Sequence, residues 1–214
     1  MNEDELQKIV RFWHHEYNKK HDYFGFRFRD THRALSNATA LIYKNSVLGD
    51  IAEFGTESGF TAFCLASGLA INAKVYETEI NFHRLPPKEI HLFDSFRGLP
   101  DPESEIDLKS PNVKSGRWAK GTFTGLSPDE LRKAVSFIFP GGVKIFEGFY
   151  KETLTNIPPA QKYALVHLDC DLYSSTSEVL RALFRGHHLS EGAVLLFDDW
   201  QTNLASPEFG MKRA

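Results

Sequence analysis

The stretch from Tyr163 to Trp200, YALVHLDCDLYSSTSEVLRALFRGHHLSEGAVLLFDDW, constrains the fold more than any other part of the chain. Two apolar runs of strand length, Ala164 to Leu168 and Ala193 to Phe197, stop abruptly at acids, Asp169 with Asp171 and Asp198 with Asp199. Runs that are apolar at nearly every position belong to a parallel sheet covered on both faces, and in open α/β sheets ligands lie beyond the carboxyl ends of the strands. Four carboxylates are therefore expected at one functional edge. Gathered there, they repel one another and are costly to ionise unless a cation joins them, which predicts a hard divalent metal site with oxygen ligands. The competing reading makes Asp171 and Asp198 caps of helices or turns and leaves the others facing solvent.

Upstream, Asp50 to Phe54 reads as the first core strand, followed by the turn Gly55, Thr56, Glu57, Ser58, Gly59 and a helical run from Phe60 to about Leu69. Strand, glycine turn and helix in that order aim free backbone N–H groups at an anion such as a carboxylate or phosphate. The pattern is not the dinucleotide fingerprint: Asp94, which ends the next strand, lies 35 residues after Gly59 instead of about 20. From that strand end, Asp94 can accept hydrogen bonds from both hydroxyls of a ribose. Glu53, just before Gly55, is placed either to face a ligand's ammonium group or to hold the turn. Ser127-Pro128-Asp129-Glu130 opens a helix with Ser127 as N-cap, and a short strand, 143–146, runs into Glu147, Gly148 and Phe149. Strands at 50–54, 90–93, 143–146, 164–168 and 193–197 alternate with helices, which predicts a doubly wound, mostly parallel α/β sheet.

Residues 1–48 form a helical and aromatic segment expected to pack on the core, and 49–214 the catalytic-type domain. Asn2 can cap a first helix carrying Leu6, Ile9, Val10, Trp13 and Tyr17. Tyr23, Phe24, Phe26 and Phe28, broken by Gly25, precede a second helix starting at Asp30 or Thr31 and read as packing or as the wall of an acceptor pocket. Phe96 to Leu126, rich in Gly, Pro, Ser and charge, is expected to be a substrate lid. A net charge of −3 gives no electrostatic case for nucleic acid or an anionic membrane. Neither a cationic apolar leader nor a run of about twenty apolar residues is present, and Cys64 and Cys170 lack disulfide or zinc spacing, so a cytoplasmic enzyme acting on small molecules is expected. His14-His15 and His187-His188 read as solvated helix or loop residues.

The motifs IAEFGTESGFTA (51–62), FDSFRGLPDPE (93–103), IFEGFYKETL (145–154), HLDCDLYSST (167–176) and GAVLLFDDW (192–200) resemble, in the same order, those of the macrocin O-methyltransferase family. Its members are S-adenosylmethionine-dependent enzymes of the Rossmann-like methyltransferase class, many acting on sugar hydroxyls of natural products. The resemblance implies that Glu53, Gly55, Thr56, Glu57, Ser58 and Gly59 hold the methionine part of the cofactor and Asp94 the ribose, with Ser95, Gly148, Phe149 and Asp169 also at the cofactor. It implies Mg²⁺ on Asp169, Asp198 and Asp199, a sugar or glycosylated natural product as acceptor, and leaves a homo-oligomer open. The family's last helix and strand pair are expected to be missing from this chain. Asp169, between ion and methionine site, is the first candidate for the proton acceptor, with His21, His32 and Glu147 behind it. A nicotinamide-dependent oxidoreductase and a non-catalytic S-adenosylmethionine-binding protein are the alternatives.

Overall fold

In the computed structural model, which describes residues 24–214, five strands form one sheet flanked by helices on both faces. In chain order the elements are α1 (Phe24–Lys44), β1 (Asp50–Phe54), α2 (Phe60–Val75), α3 (Glu77–His83), β2 (Ile90–Asp94), α4 (Glu105–Lys109), α5 (Pro111–Lys114) and α6 (Pro128–Ile138). There follow β3 (Val143–Glu147), α7 (Tyr150–Thr153), β4 (Tyr163–Leu168), α8 (Tyr173–Arg185), β5 (Leu189–Phe197) and α9 (Gly210–Arg213). The order across the sheet is β3-β2-β1-β4-β5 and every pairing is parallel. The chain first winds outward from β1 through β2 to β3, then returns to the other side of β1 for β4 and β5. That reversal creates a crevice beyond the carboxyl ends of β1 and β4, where open sheets of this kind bind ligands.

Side-chain alternation along each strand divides the core in two. On one face Ile51, Ile90, Leu92 and Leu165 pack with Leu35 and Ile42 of α1, Leu65 and Leu69 of α2, and Leu131 and Val135 of α6. On the other, Ala52, Phe54, Phe93, Val166 and Leu168 meet Val179 and Leu183 of α8 and Met211 of α9. Phe54, Phe93 and Phe146 sit opposite one another in register, and their rings stack at 4.6 and 4.2 Å, a ladder that opposes strand slippage. Helices α1 and α2 approach closely at Gly68, where a β-carbon would lie 2.7 Å from Thr39 Oγ1.

Several boundaries differ from those read in the sequence. Helix α1 begins at Phe24, not at Asp30 or Thr31, so most of the aromatic stretch is helical backbone. Strand β5 starts at Leu189, earlier than 193, because Leu189 already pairs with Tyr163; the register then shifts, and pairing resumes with Val194 opposite Leu165. The capping box at Ser127 forms as expected: Glu130 Oε2 accepts from the Ser127 N–H at 3.0 Å, and the Ser127 hydroxyl accepts from the Glu130 N–H. The helix assigned to Asn2, His14, His15, His21 and Tyr23 lie outside the described residues.

The segment from Phe96 to Leu126 is fastened at several points. Trp118 is buried, and the buried Asp107 carboxylate accepts the N–H groups of Tyr173 at 2.8 Å and Ser174 at 3.1 Å. Asp107 thereby caps α8 from 66 residues away, a task that Leu172, at the N-cap position, has no side chain to perform.

Candidate functional site

The glycine turn is anchored by an acid on the neighbouring strand. Asp94 Oδ2 accepts from the Thr56 N–H at 2.7 Å, the Thr56 hydroxyl at 3.0 Å and the Glu57 N–H at 3.2 Å, while Oδ1 accepts from the Phe96 N–H at 2.7 Å. The residue expected to meet a ribose thus also shapes the turn above it. Gly55 has φ +91, and a β-carbon there would lie 1.9 Å from the carbonyl oxygen of Asp169, so only glycine lets β1 turn this close to the end of β4. Gly59, φ +76, precedes α2 and has no side chain with which to cap it, and the amino end of that helix faces the crevice. Thr56 and Ser58 are buried beneath the turn, and Leu126 N–H donates to the Glu57 carbonyl, which seats the far end of the 96–126 segment on it. Ser95 spends its hydroxyl locally, donating to the Gly98 carbonyl at 2.7 Å and accepting from the Arg97 N–H. Gly148 reaches the same edge through its N–H, which donates to the Asp94 carbonyl at 2.9 Å, and the Phe149 ring lies under the Arg97 guanidinium at 4.8 Å.

Beyond β4 and β5 the acidic residues collect as expected. Burial first, and then the charges of Asp198, Asp199 and Asp171, push the Asp169 carboxyl well above the ordinary carboxylate range. Burial, the Asp199 charge and a hydrogen bond to Asp199 do the same to Asp171. Asp171 also holds a left-handed backbone conformation, φ 57, of the kind that concentrates where side chains are aimed at ligands. Asp171 therefore joins Asp169, Asp198 and Asp199 in one interacting group. All four offer hard oxygen donors whose mutual repulsion a divalent cation would relieve, so these residues fit a magnesium ion.

Two buried polar residues complete the arrangement, and the sequence reading missed one of them. Glu53 and His167 face each other across the β1–β4 pairing, fully buried, with Glu53 Oε1 and His167 Nδ1 2.9 Å apart. The other ring nitrogen, Nε2, lies 3.8 Å from Asp198 Oδ1. Burial works against a charged ring, but the contacts with Asp198 and Glu53 outweigh it and push the His167 imidazole up to about 10. Glu53 Oε2 is buried and unmatched by any hydrogen-bond donor. The signal for His167 was its polarity within YALVHL, at a strand position where the rest of the run is apolar.

Other expectations fare differently. His32 lies in α1, and Glu147 is exposed at the end of β3. His187 is exposed, but His188 is not the solvated residue expected: it is buried, with Nδ1 3.0 Å from the Gln161 carbonyl oxygen, because the turn after α8 folds it inward. Asp50, Glu89 and His91 bring ligand-type atoms within 4.8 Å of one another, but at the amino ends of β1 and β2, the edge opposite the crevice. Lys144 Nζ stands 2.5 Å from Glu89 Oε2 and its hydrogen bond holds that carboxyl below the ordinary range, so the cluster is an ion-paired seam of the sheet.

A five-stranded parallel sheet with a glycine turn after β1, an acid at the end of β2 and an acidic edge at β4 and β5 has the architecture of a Rossmann-like methyltransferase. The model of the macrocin O-methyltransferase (TylF) family matches residues 27–210, and the chain belongs to that family. Two solved structures share the fold. The O-methyltransferase NovP superposes with a TM-score of 0.62 at 22% identity, over 81% of this chain and 66% of that one. The calicheamicin methyltransferase CalS11 does so with a TM-score of 0.67 at 21% identity, over 98% of this chain and 81% of that one. This chain thus spans slightly under two thirds of the NovP length. No curated protein matches the sequence.

Proposed function

We propose that the protein is an S-adenosylmethionine-dependent, Mg²⁺-dependent O-methyltransferase that methylates a hydroxyl of a sugar or sugar-containing small molecule. The observation that carries this reading is the contact between the Gly55 turn and the Asp169 carbonyl, which joins an anion-binding turn to a cluster of metal-type carboxylates at one switch point. Family membership and the likeness to NovP and to a calicheamicin methyltransferase support both the reaction and the acceptor class. Among the described residues no helix is long and apolar enough to cross a membrane, and the cytoplasm, where S-adenosylmethionine is made, is the compartment this reading implies.

S-adenosylmethionine supplies a methyl group on a positively charged sulfur. The N–H groups at the start of α2 would hold its carboxylate and the unmatched Glu53 Oε2 its ammonium group. Asp94, at the end of β2, would face the ribose while keeping the turn in shape, and Ser95, Gly148 and Phe149 would flank it. Asp169, Asp198 and Asp199, with Asp171 alongside, would hold Mg²⁺, whose positive charge would make an acceptor hydroxyl more acidic. Methyl transfer also needs the nucleophile in line with the sulfonium carbon, so the acceptor must be oriented across the crevice between these two halves. Asp169 is the proposed proton acceptor, because it follows the last residue of β4 and lies between the two halves. The 96–126 segment, seated on the turn by Leu126, would close the crevice from above.

The test is methyl transfer from S-adenosylmethionine to a panel of sugar conjugates, with and without chelator. Activity should vanish in excess chelator and return with Mg²⁺ or Mn²⁺, while cofactor binding persists. The Asp198→Asn variant should lose turnover far more than cofactor affinity. Full activity in chelator, or in the Asp198→Asn/Asp199→Asn double variant, refutes the metal mechanism.

A further inference from the structure

His167 occupies a position that neither packing nor the proposed chemistry explains by itself. The inner ends of β1, β4 and β5 are otherwise apolar on the face that packs against α1, α2 and α6, where Ile51, Leu165 and Leu196 precede the polar residues by two positions on each strand. At the next position on that face come Glu53 on β1, His167 on β4 and Asp198 just past β5. Register makes Glu53 and His167 direct neighbours and places Asp198 diagonally from His167, because Leu196 is the residue opposite the histidine. One ring then spans the gap between the acid under the cofactor turn and an acid of the metal-type cluster, at 2.9 Å on one nitrogen and 3.8 Å on the other.

We propose that His167 is a positioning residue that fixes Glu53 and Asp198 with its two ring nitrogens, so that one side chain orients both the ammonium-binding acid and a metal-binding acid. This inference rests on the proposed function for the identity of the two ligands. Its physical basis is that a carboxylate presented to a ligand is useful only in one rotamer, and that groups behind metal ligands set that rotamer; removing such a group commonly costs about 10–100-fold in metal affinity. Glu53 supports the assignment independently. One of its oxygens is held by His167 and the other is buried without a donor, which leaves it aimed and unsatisfied instead of turned into a closed structural network.

The two nitrogens can be tested separately. The amide nitrogen of asparagine lies near the place of Nδ1 and that of glutamine near the place of Nε2. His167→Asn therefore keeps the Glu53 contact and loses the one to Asp198, whereas His167→Gln does the reverse. By calorimetry, His167→Asn should bind Mn²⁺ about tenfold more weakly and S-adenosylhomocysteine within about twofold of wild type. His167→Gln should show the opposite pattern. A purely structural histidine would give equal losses on both ligands in both variants, or none, and either result overturns the proposal.

If the variants do not fold, ¹⁵N chemical shifts of the wild-type ring serve instead: Mg²⁺ should move the Nε2 signal more, and S-adenosylhomocysteine the Nδ1 signal more. A ring that responds to neither, in a protein that binds both, overturns the proposal as well. A wild-type chain that binds neither ligand overturns instead the functional reading beneath it.

Discussion

Asp94 offers the most discriminating perturbation, since the structure gives it work to do before any ligand arrives. Its carboxylate accepts four hydrogen bonds, three of them from the backbone N–H groups of Thr56, Glu57 and Phe96. In Asp94→Ala those N–H groups lose their acceptor, and a buried donor left unmatched costs about 1–3 kcal/mol. Thr56 is only 3% exposed and should bear most of this cost, whereas Glu57 and Phe96 are half-buried and water can replace part of theirs. The sum is a destabilisation of about 2–4 kcal/mol in the absence of cofactor. Asp94→Asn should cost less, about 1–2 kcal/mol: the amide oxygen can still serve the three donors of the turn, but its NH₂ then meets the Phe96 N–H donor to donor. Urea denaturation without cofactor measures both variants, and calorimetry with S-adenosylhomocysteine measures the ligand side. If Asp94→Ala unfolds within about 0.5 kcal/mol of wild type yet loses cofactor binding, the carboxylate serves the ligand alone and the turn-shaping role is wrong.

The course of the chain was largely legible, because the strands of the doubly wound sheet are short runs between breakers and their ends are marked by Gly55, Asp94, Glu147, Asp169 and Asp198. What the sequence did not carry is register. The meeting of Glu53 with His167, 114 residues apart, depends on which residue of β4 lies opposite which residue of β1, and a one-position slip of β4 would put the two side chains on opposite faces. The capping of α8 by Asp107 was hidden for the same reason. Nothing local distinguishes an acid that caps its own helix from one that caps a helix elsewhere, and a segment poor in apolar residues suggests a lid without showing that Trp118 and Asp107 fasten part of it. The acidic cluster was legible as composition at strand ends. The left-handed backbone that brings Asp171 into it was not, since φ at that position follows from the tight passage between β4 and α8.

Gly55→Ala should be the most damaging single-carbon addition in the crevice: a left-handed conformation costs an ordinary residue about 1–2 kcal/mol, and the added carbon must also displace the Asp169 backbone from 1.9 Å. Weakened Mn²⁺ binding together with a loss of more than about 2 kcal/mol in urea melts is expected, and a variant with wild-type metal affinity would separate the turn from the acidic edge. Lys88 supplies a pH dependence remote from the ligands. Its ammonium group is buried and donates to the carbonyls of Val47 at 2.8 Å and Gly49 at 2.7 Å, and burial, opposed by the Asp50 charge, lowers its pKa to about 8 from 10.5. Below about 8 the group is protonated in both states, so its folding contribution is constant there. Between about 8 and 10.5 the unfolded chain holds the proton more firmly than the folded one, and stability gains as pH rises. The gain is at most about 3 kcal/mol, because the two carbonyl acceptors favour the charged form and offset part of the burial. Tyr43, whose ring lies 5.7 Å from Lys88 Nζ, is pushed up to about 12 by burial and stays protonated in the folded state throughout that window. The difference in unfolding free energy between wild type and Lys88→Met should therefore climb across pH 8 to 10.5 and be level below it. A difference that is flat through the window would mean that the two carbonyls hold Lys88 charged in the folded protein as firmly as water does in the unfolded chain.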